Sequence, residues 1–140
     1  PSSVSELRAE VGRMGPWTGA RESFAPVATT HSPGTGVRLA TWRQLLDLGV
    51  MQEGEPHLAA TARDTVARMS GATATRYGLP TSGPVSIHGP SGAISVDLEV
   101  DDSMIDDVVW LPMNSEGSRV YRDLGVGYGD VVRVTSGGQL

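Results

Sequence analysis

Apolar and polar residues alternate most clearly between residues 84 and 100. Val85 and Ile87 alternate with Ser86 and His88; Ile94, Val96, Leu98 and Val100 alternate with Ser95, Asp97 and Glu99. A period of two puts one set on a buried face and the other in water. The intervening Gly89-Pro90-Ser91-Gly92 reads as the turn of a hairpin. Val108 to Leu111 is nearly all apolar, as for a strand buried on both sides. Val37 to Thr41 and Asp130 to Thr135 read as further short strands.

Other stretches shift to a helical period. Ser3-Val4-Ser5-Glu6 has the form of a capping box, with Ser3 covering an orphan amide and Glu6 reaching back. Val4, Leu7, Val11 and Met14 follow at helical spacing, and Gly15-Pro16 stops the run. Trp42, Leu45 and Leu46 predict a second helix, with Thr41 as N-cap and Gly49 as C-cap. Residues 50–57 read as a loop. Leu58 to Met69 fits either helix or strand. Ala72 to Tyr77 and Arg119 to Leu124 predict short helices, the first closed by Gly78. Residues 15–36 carry Gly and Pro with little periodicity and read as an irregular linker. Short strands and short helices without a βαβ rhythm point to a small β-barrel with inserted helices.

Composition narrows the chemistry. The chain has 140 residues, room for one domain and a leader. It has no Cys, and all 11 of its basic residues are Arg. Disulfides, thiolate nucleophiles and cysteine-held clusters are therefore excluded in this stretch, as are lysine Schiff bases and a P-loop lysine. A net charge of -5 argues against nucleic acid. The longest apolar runs fall far short of the roughly 20 residues of a membrane span. Pro1-Ser2-Ser3 has neither a basic region nor an apolar stretch behind it and does not read as a signal peptide. Without an initiator Met, the chain reads as a piece of a larger protein.

Individual constellations carry little catalysis. Asp101, Asp102, Asp106 and Asp107 lack the EF-hand order of ligands and read as a solvated connection. His31, His57 and His88 are never three or four apart, so no local metal pair forms. His88-Gly89-Pro90-Ser91-Gly92 is not a nucleophile elbow. Gly125-Val126-Gly127-Tyr128-Gly129 lacks the following helix that a dinucleotide loop requires, and reads as a tight turn. Arg43, Arg63, Arg68 and Arg76 have two readings: an anion site, or ion pairs with the surplus acids.

Three segments carry a resemblance. Leu39-Ala40-Thr41-Trp42-Arg43-Gln44-Leu45-Leu46-Asp47, Glu55 to Arg63, and Val108-Val109-Trp110-Leu111-Pro112-Met113-Asn114-Ser115 resemble the C-terminal end of the G-subunit family of bacterial NADH-quinone oxidoreductase (respiratory complex I), in its actinobacterial form. That family is in turn similar to molybdopterin oxidoreductases. The resemblance implies a mainly β fold with short helices: a six-stranded double-psi β-barrel over 37–140, preceded by an N-terminal helix and linker over 1–36. It also implies that Thr65 to Met69 is a strand. By the family pattern, Thr41, Arg43 and Asn114 are the cofactor-side residues, here expected to be vestigial. No catalytic residue and no metal site is expected. The implied role is structural, within a parent that passes electrons from NADH to quinone through its own iron–sulfur clusters, coupled to proton translocation. The implied partners are the rest of that polypeptide and neighbouring complex I subunits. The implied place is a peripheral arm on the cytoplasmic side of the plasma membrane, without direct membrane insertion. The alternative is a molybdopterin guanine dinucleotide-binding domain of a molybdenum or tungsten oxidoreductase, such as formate dehydrogenase. A third reading is a stand-alone anion-binding module.

Overall fold

The computed structural model describes residues 2–20, 23 and 35–137. His31 and most of the expected linker lie outside the described residues. The chain divides into two units, Pro1–Ser32 and Pro33–Leu140.

The first unit holds helix α1, Val4–Met14. The Ser3 side chain accepts the Glu6 amide at 3.2 Å, the N-cap that the sequence predicts. The return contact differs from the expected box. The Glu6 carboxylate accepts from the Ser2 amide at 2.7 Å and the Ser2 hydroxyl at 3.0 Å, one residue before the cap. These bonds favour the charged form and hold the Glu6 carboxyl below its ordinary range.

The second unit is a closed barrel. Its elements are β1 (Val37–Trp42), α2 (Pro56–Ala59), β2 (Val66–Met69), α3 (Gly71–Arg76), β3 (Ser82–Gly89), β4 (Gly92–Val100), β5 (Val108–Pro112), β6 (Asn114–Ser115), β7 (Ser118–Arg119) and β8 (Val131–Ser136). The strand order around the barrel is β1-β5-β2-β4-β3-β8, and β6 and β7 form a separate two-stranded ribbon. β1 runs parallel to β5 and β2 parallel to β4, while the remaining neighbours are antiparallel. Two such crossing parallel pairs give the six-stranded double-psi barrel implied by the resemblance. Closure leaves no free sheet edge. The inward residues pack one core, including Leu39, Met69, Ile87, Val109, Leu111 and Val132, all nearly or fully inaccessible to water.

The hairpin forms where alternation predicts it, with Gly89 opposite Gly92 across a two-residue loop. Thr65 itself lies just outside β2, which begins at Val66. The α3 helix is capped by Ser70, whose hydroxyl accepts the Thr73 amide at 3.1 Å. The acidic connection is more than solvated surface. Asp106 accepts the Ser70 hydroxyl at 2.5 Å, and Asp107 pairs with Arg76. Two of its four carboxylates therefore tie the β4–β5 connection to the start and end of α3.

One predicted helix is absent and another forms with a different winding. Residues 43–49 form bends, not a helix, and the only helical turn of that loop is at Val50–Gln52. The Asp47 amide donates to Gln52 Oε1 at 2.8 Å, Gly49 N–H donates to Asp47 Oδ1 at 2.8 Å, and Gln52 Nε2 donates to the Leu45 carbonyl at 2.6 Å. Side chains thus take the backbone groups that a helix would use. Thr41 is not an N-cap; it lies in β1 and donates to the Leu111 carbonyl at 2.8 Å. The short helix predicted at 119–124 forms as one wide π-helical turn, Val120–Leu124, with Arg119 left in β7. Gly125 ends that turn with φ +70°, a conformation that glycine adopts without strain.

His88 sits half-buried on β3, with Nε2 at 3.0 Å from the Thr135 hydroxyl. Burial, and secondarily the charge of Arg133, lower its pKa from the ordinary 6.5. The unfolded chain therefore binds a proton at a pH where the folded chain does not. Stability is unaffected well above 6.5 and falls as pH drops below it. Thermal melts between pH 7 and 5 should show a decline that is shallower in His88→Gln. An equal decline in both proteins would remove His88 as its source.

Candidate functional site

The outer face of the barrel holds the most distinctive surface. On β1, Leu39 and Thr41 point inward, so Ala40 and Trp42 point outward. On β5, Val109 and Leu111 are interior, which turns Trp110 outward; on β2, Ala67 and Met69 are interior, which turns Arg68 outward. The register places Trp110 between Ala40 on one side and Arg68 on the other. Sheet geometry thus gathers two tryptophans and an arginine that are far apart in the sequence.

Their contacts are specific. The Trp42 and Trp110 ring centroids are 5.3 Å apart with planes tilted by 51°, a favourable aromatic arrangement. The Arg68 guanidinium lies 5.7 Å from the Trp110 centroid, within cation–π range. Arg68 also donates to Glu99 at 3.0 Å. Covered in this way, Trp110 is only 6% exposed, and its indole Nε1 has no hydrogen-bond partner among the described residues.

A cleft of about 500 Å³ opens beside these rings, with Arg43 and Arg63 joining Arg68 on its wall. No carboxylate side chain lines it. A second cleft, of about 370 Å³, shares Arg43 and adds Asn114, Arg119 and Arg122. A third, of about 340 Å³, is lined by Asp47, Asp64, Ser115 and Glu116 beside Arg63. There Asp47 Oδ2 and Ser115 Oγ are buried without a hydrogen-bond partner.

The sequence-predicted site residues are therefore only partly brought together. Arg43 and Asn114 line one cleft. Thr41 lines none of these three; it is 6% exposed and its hydroxyl proton is committed to Leu111. Thr41 thus lies apart from the cleft that Arg43 and Asn114 share. Of the four arginines with an open reading, Arg43, Arg63 and Arg68 meet at the larger cleft, while Arg76 is paired with Asp107 elsewhere. Among the described residues no three His, Asp or Glu side chains gather as metal ligands. Sequence reasoning missed Trp42 and Trp110. Both lie in the quoted segments; the apolar run 108–111 reads as a strand buried on both sides, and Trp110 is indeed buried, but that reading gives no sign of the neighbours that cover it.

Comparison with known proteins sets this geometry in context. Residues 37–123 match the model of the Molydopterin dinucleotide binding domain. The NADH-quinone oxidoreductase G subunit of Mycobacterium tuberculosis is 40% identical over 138 residues, covering 96% of this chain and 17% of that protein. The corresponding Streptomyces coelicolor protein is 42% identical over 130 residues, covering 91% of this chain and 15% of that protein. The chain thus spans about a sixth of the length of these relatives. Among solved structures, the rationally designed mkDPBB_sym_86 protein aligns with 74% of this chain and 95% of its own, at 18% identity and a TM-score of 0.43. Acetylene hydratase from Pelobacter acetylenicus aligns with 55% of this chain and 11% of its own, at 20% identity and a TM-score of 0.39.

Proposed function

The chain belongs to the Molydopterin dinucleotide binding domain family, and on that premise we propose that it is a structural domain of the G subunit of an NADH-quinone oxidoreductase. Its parent would pass electrons from NADH toward quinone through iron–sulfur clusters held elsewhere in the polypeptide, in a process coupled to proton translocation. The absence of Cys from all 140 residues supports placing this part away from those clusters, because cluster ligation of that kind needs thiolates. The parent complex would be membrane-associated through other subunits, with this domain in a peripheral arm on the cytoplasmic side of the plasma membrane. Its boundaries would be a leader over 1–36 and the barrel over 37–140.

One observation carries the structural reading: Thr41 is turned into the barrel and bonded to Leu111. Arg43 and Asn114, at the same end, would keep an anion-friendly surface without the third member of the family pattern. On this reading the cofactor-side residues Thr41, Arg43 and Asn114 are vestigial. A molybdopterin dinucleotide, if bound, would draw on Arg43 and Asn114 for its phosphates, but Thr41 does not fit that role in this conformation.

The test is metal and activity measurement on the purified chain. Molybdenum and tungsten should be far below stoichiometric, and NADH oxidation should not exceed the buffer rate. Stoichiometric metal, or turnover that copurifies with the chain, would favour the molybdenum or tungsten oxidoreductase alternative instead.

A further inference from the structure

We propose that the cleft beside Trp42 and Trp110 is a docking site for an acidic, partly apolar segment from the remainder of the same polypeptide. The inference rests on the reading of the chain as one domain of a longer protein, whose relatives are about six times as long.

The chain is acidic, with 16 carboxylate residues against 11 arginines. Yet the cleft wall carries Arg43, Arg63 and Arg68 and no acid; of the three, Arg68 alone has a close carboxylate, Glu99 at 3.0 Å. Arg63 has no carboxylate within 4.0 Å among the described residues, and Arg43 approaches Asp47 only to 3.9 Å. Guanidinium forks suit carboxylates, and the pairing strengthens when a docked chain excludes water.

Trp110 lines the cleft, and its N–H is buried without an acceptor among the described residues. Buried donors normally find a partner. Displacement by a docked segment of the side chains that cover the ring would bring a peptide carbonyl or a carboxylate to it.

Trp42 at the end of β1, and Leu45, Val50 and Met51 in the crossover that follows it, are each at least 60% exposed, and Trp42 and Leu45 line the cleft. Exposed apolar residues grouped in this way mark interaction surfaces. A phosphate or a nucleotide would fill the cleft and leave the rest of the crossover bare, whereas a polypeptide would cover both. Aromatic and arginine residues together are also the side chains enriched at binding hot spots.

The experiment is arginine footprinting with phenylglyoxal, read by mass spectrometry, on three samples of the unmutated protein. They are the 140-residue chain, the full-length parent polypeptide alone, and the assembled complex. Arg133, exposed on β8, serves as the internal reference. Arg43 and Arg63 should react at least tenfold more slowly in the full-length polypeptide than in the 140-residue chain, while Arg133 changes little. Protection that appears only in the assembled complex would assign the occupant to another protein of the assembly and overturn the proposal. Equal reactivity in all three samples would overturn docking altogether. Stoichiometric phosphorus in the protected full-length polypeptide would identify a nucleotide-like occupant and overturn it as well. The metal and activity measurement decides the structural reading separately, so a failed footprint with no bound metal removes only this inference.

Discussion

Truncating Leu111 to alanine should lower barrel stability by about 2–5 kcal/mol, the range for removing a large aliphatic side chain from a packed core. Leu111 is fully buried on β5, and its carbonyl accepts the Thr41 hydroxyl. β5 lies between β1 and β2 in the closed order. The cavity would therefore open where two long-range pairings meet, β1 with β5 and β2 with β5. For a domain of this size, a loss on that scale lowers the melting temperature by roughly 10 °C or more. Calorimetry of the variant checks this. A shift of a degree or two would mean that the core relaxes around the gap, or that Leu111 is not interior.

The second large effect is predicted at Gly89. An added Cβ there would sit 2.3 Å from the Leu124 carbonyl oxygen and 2.9 Å from Leu124 Cβ. Leu124 ends the wide turn over the hairpin, and its carbonyl accepts the Ser91 amide at 3.1 Å. Gly89→Ala should cost about 1–3 kcal/mol, the usual range for overpacking, and Gly89→Val more. Strand propensity alone predicts the opposite sign, since glycine weakens strands. Denaturant melts of the two variants distinguish these explanations. Equal or higher stability would show that the turn moves aside freely.

The parts of the fold legible in the sequence were those where local pattern and tertiary burial agree. Ile94, Leu98, Val85 and Ile87 alternate because one face of a hairpin meets the core, and that face is buried as expected. The segment at 42–49 misled because its apolar spacing is helical while its backbone partners are side chains. Asp47 and Gln52 hold the loop, and Leu45, which a core-facing helix would bury, is 91% exposed. Propensity cannot register such side chain-to-backbone competition from spacing alone.

The site was less legible than the fold. Arg43 and Asn114 were marked by a family pattern, but whether a residue faces the cleft or the core is settled by register. Thr41 and Trp42 are neighbours in sequence and face opposite ways. Arg68 and Trp110 meet because β2 and β5 are adjacent in the barrel, a pairing that no local motif encodes. The orphaned Trp110 N–H follows from that same packing and has no signature in the sequence.

The proposed structural role makes this domain a support of the assembly and not a member of the reaction path. Deleting the segment equivalent to residues 37–140 from the full-length parent polypeptide tests it most directly, with assembled complex and NADH-oxidising turnover measured separately. A structural domain gives a marked fall in the amount of assembled complex, with turnover per assembled complex unchanged. Normal assembly with turnover lost would contradict it, because the domain would then be part of the reaction path.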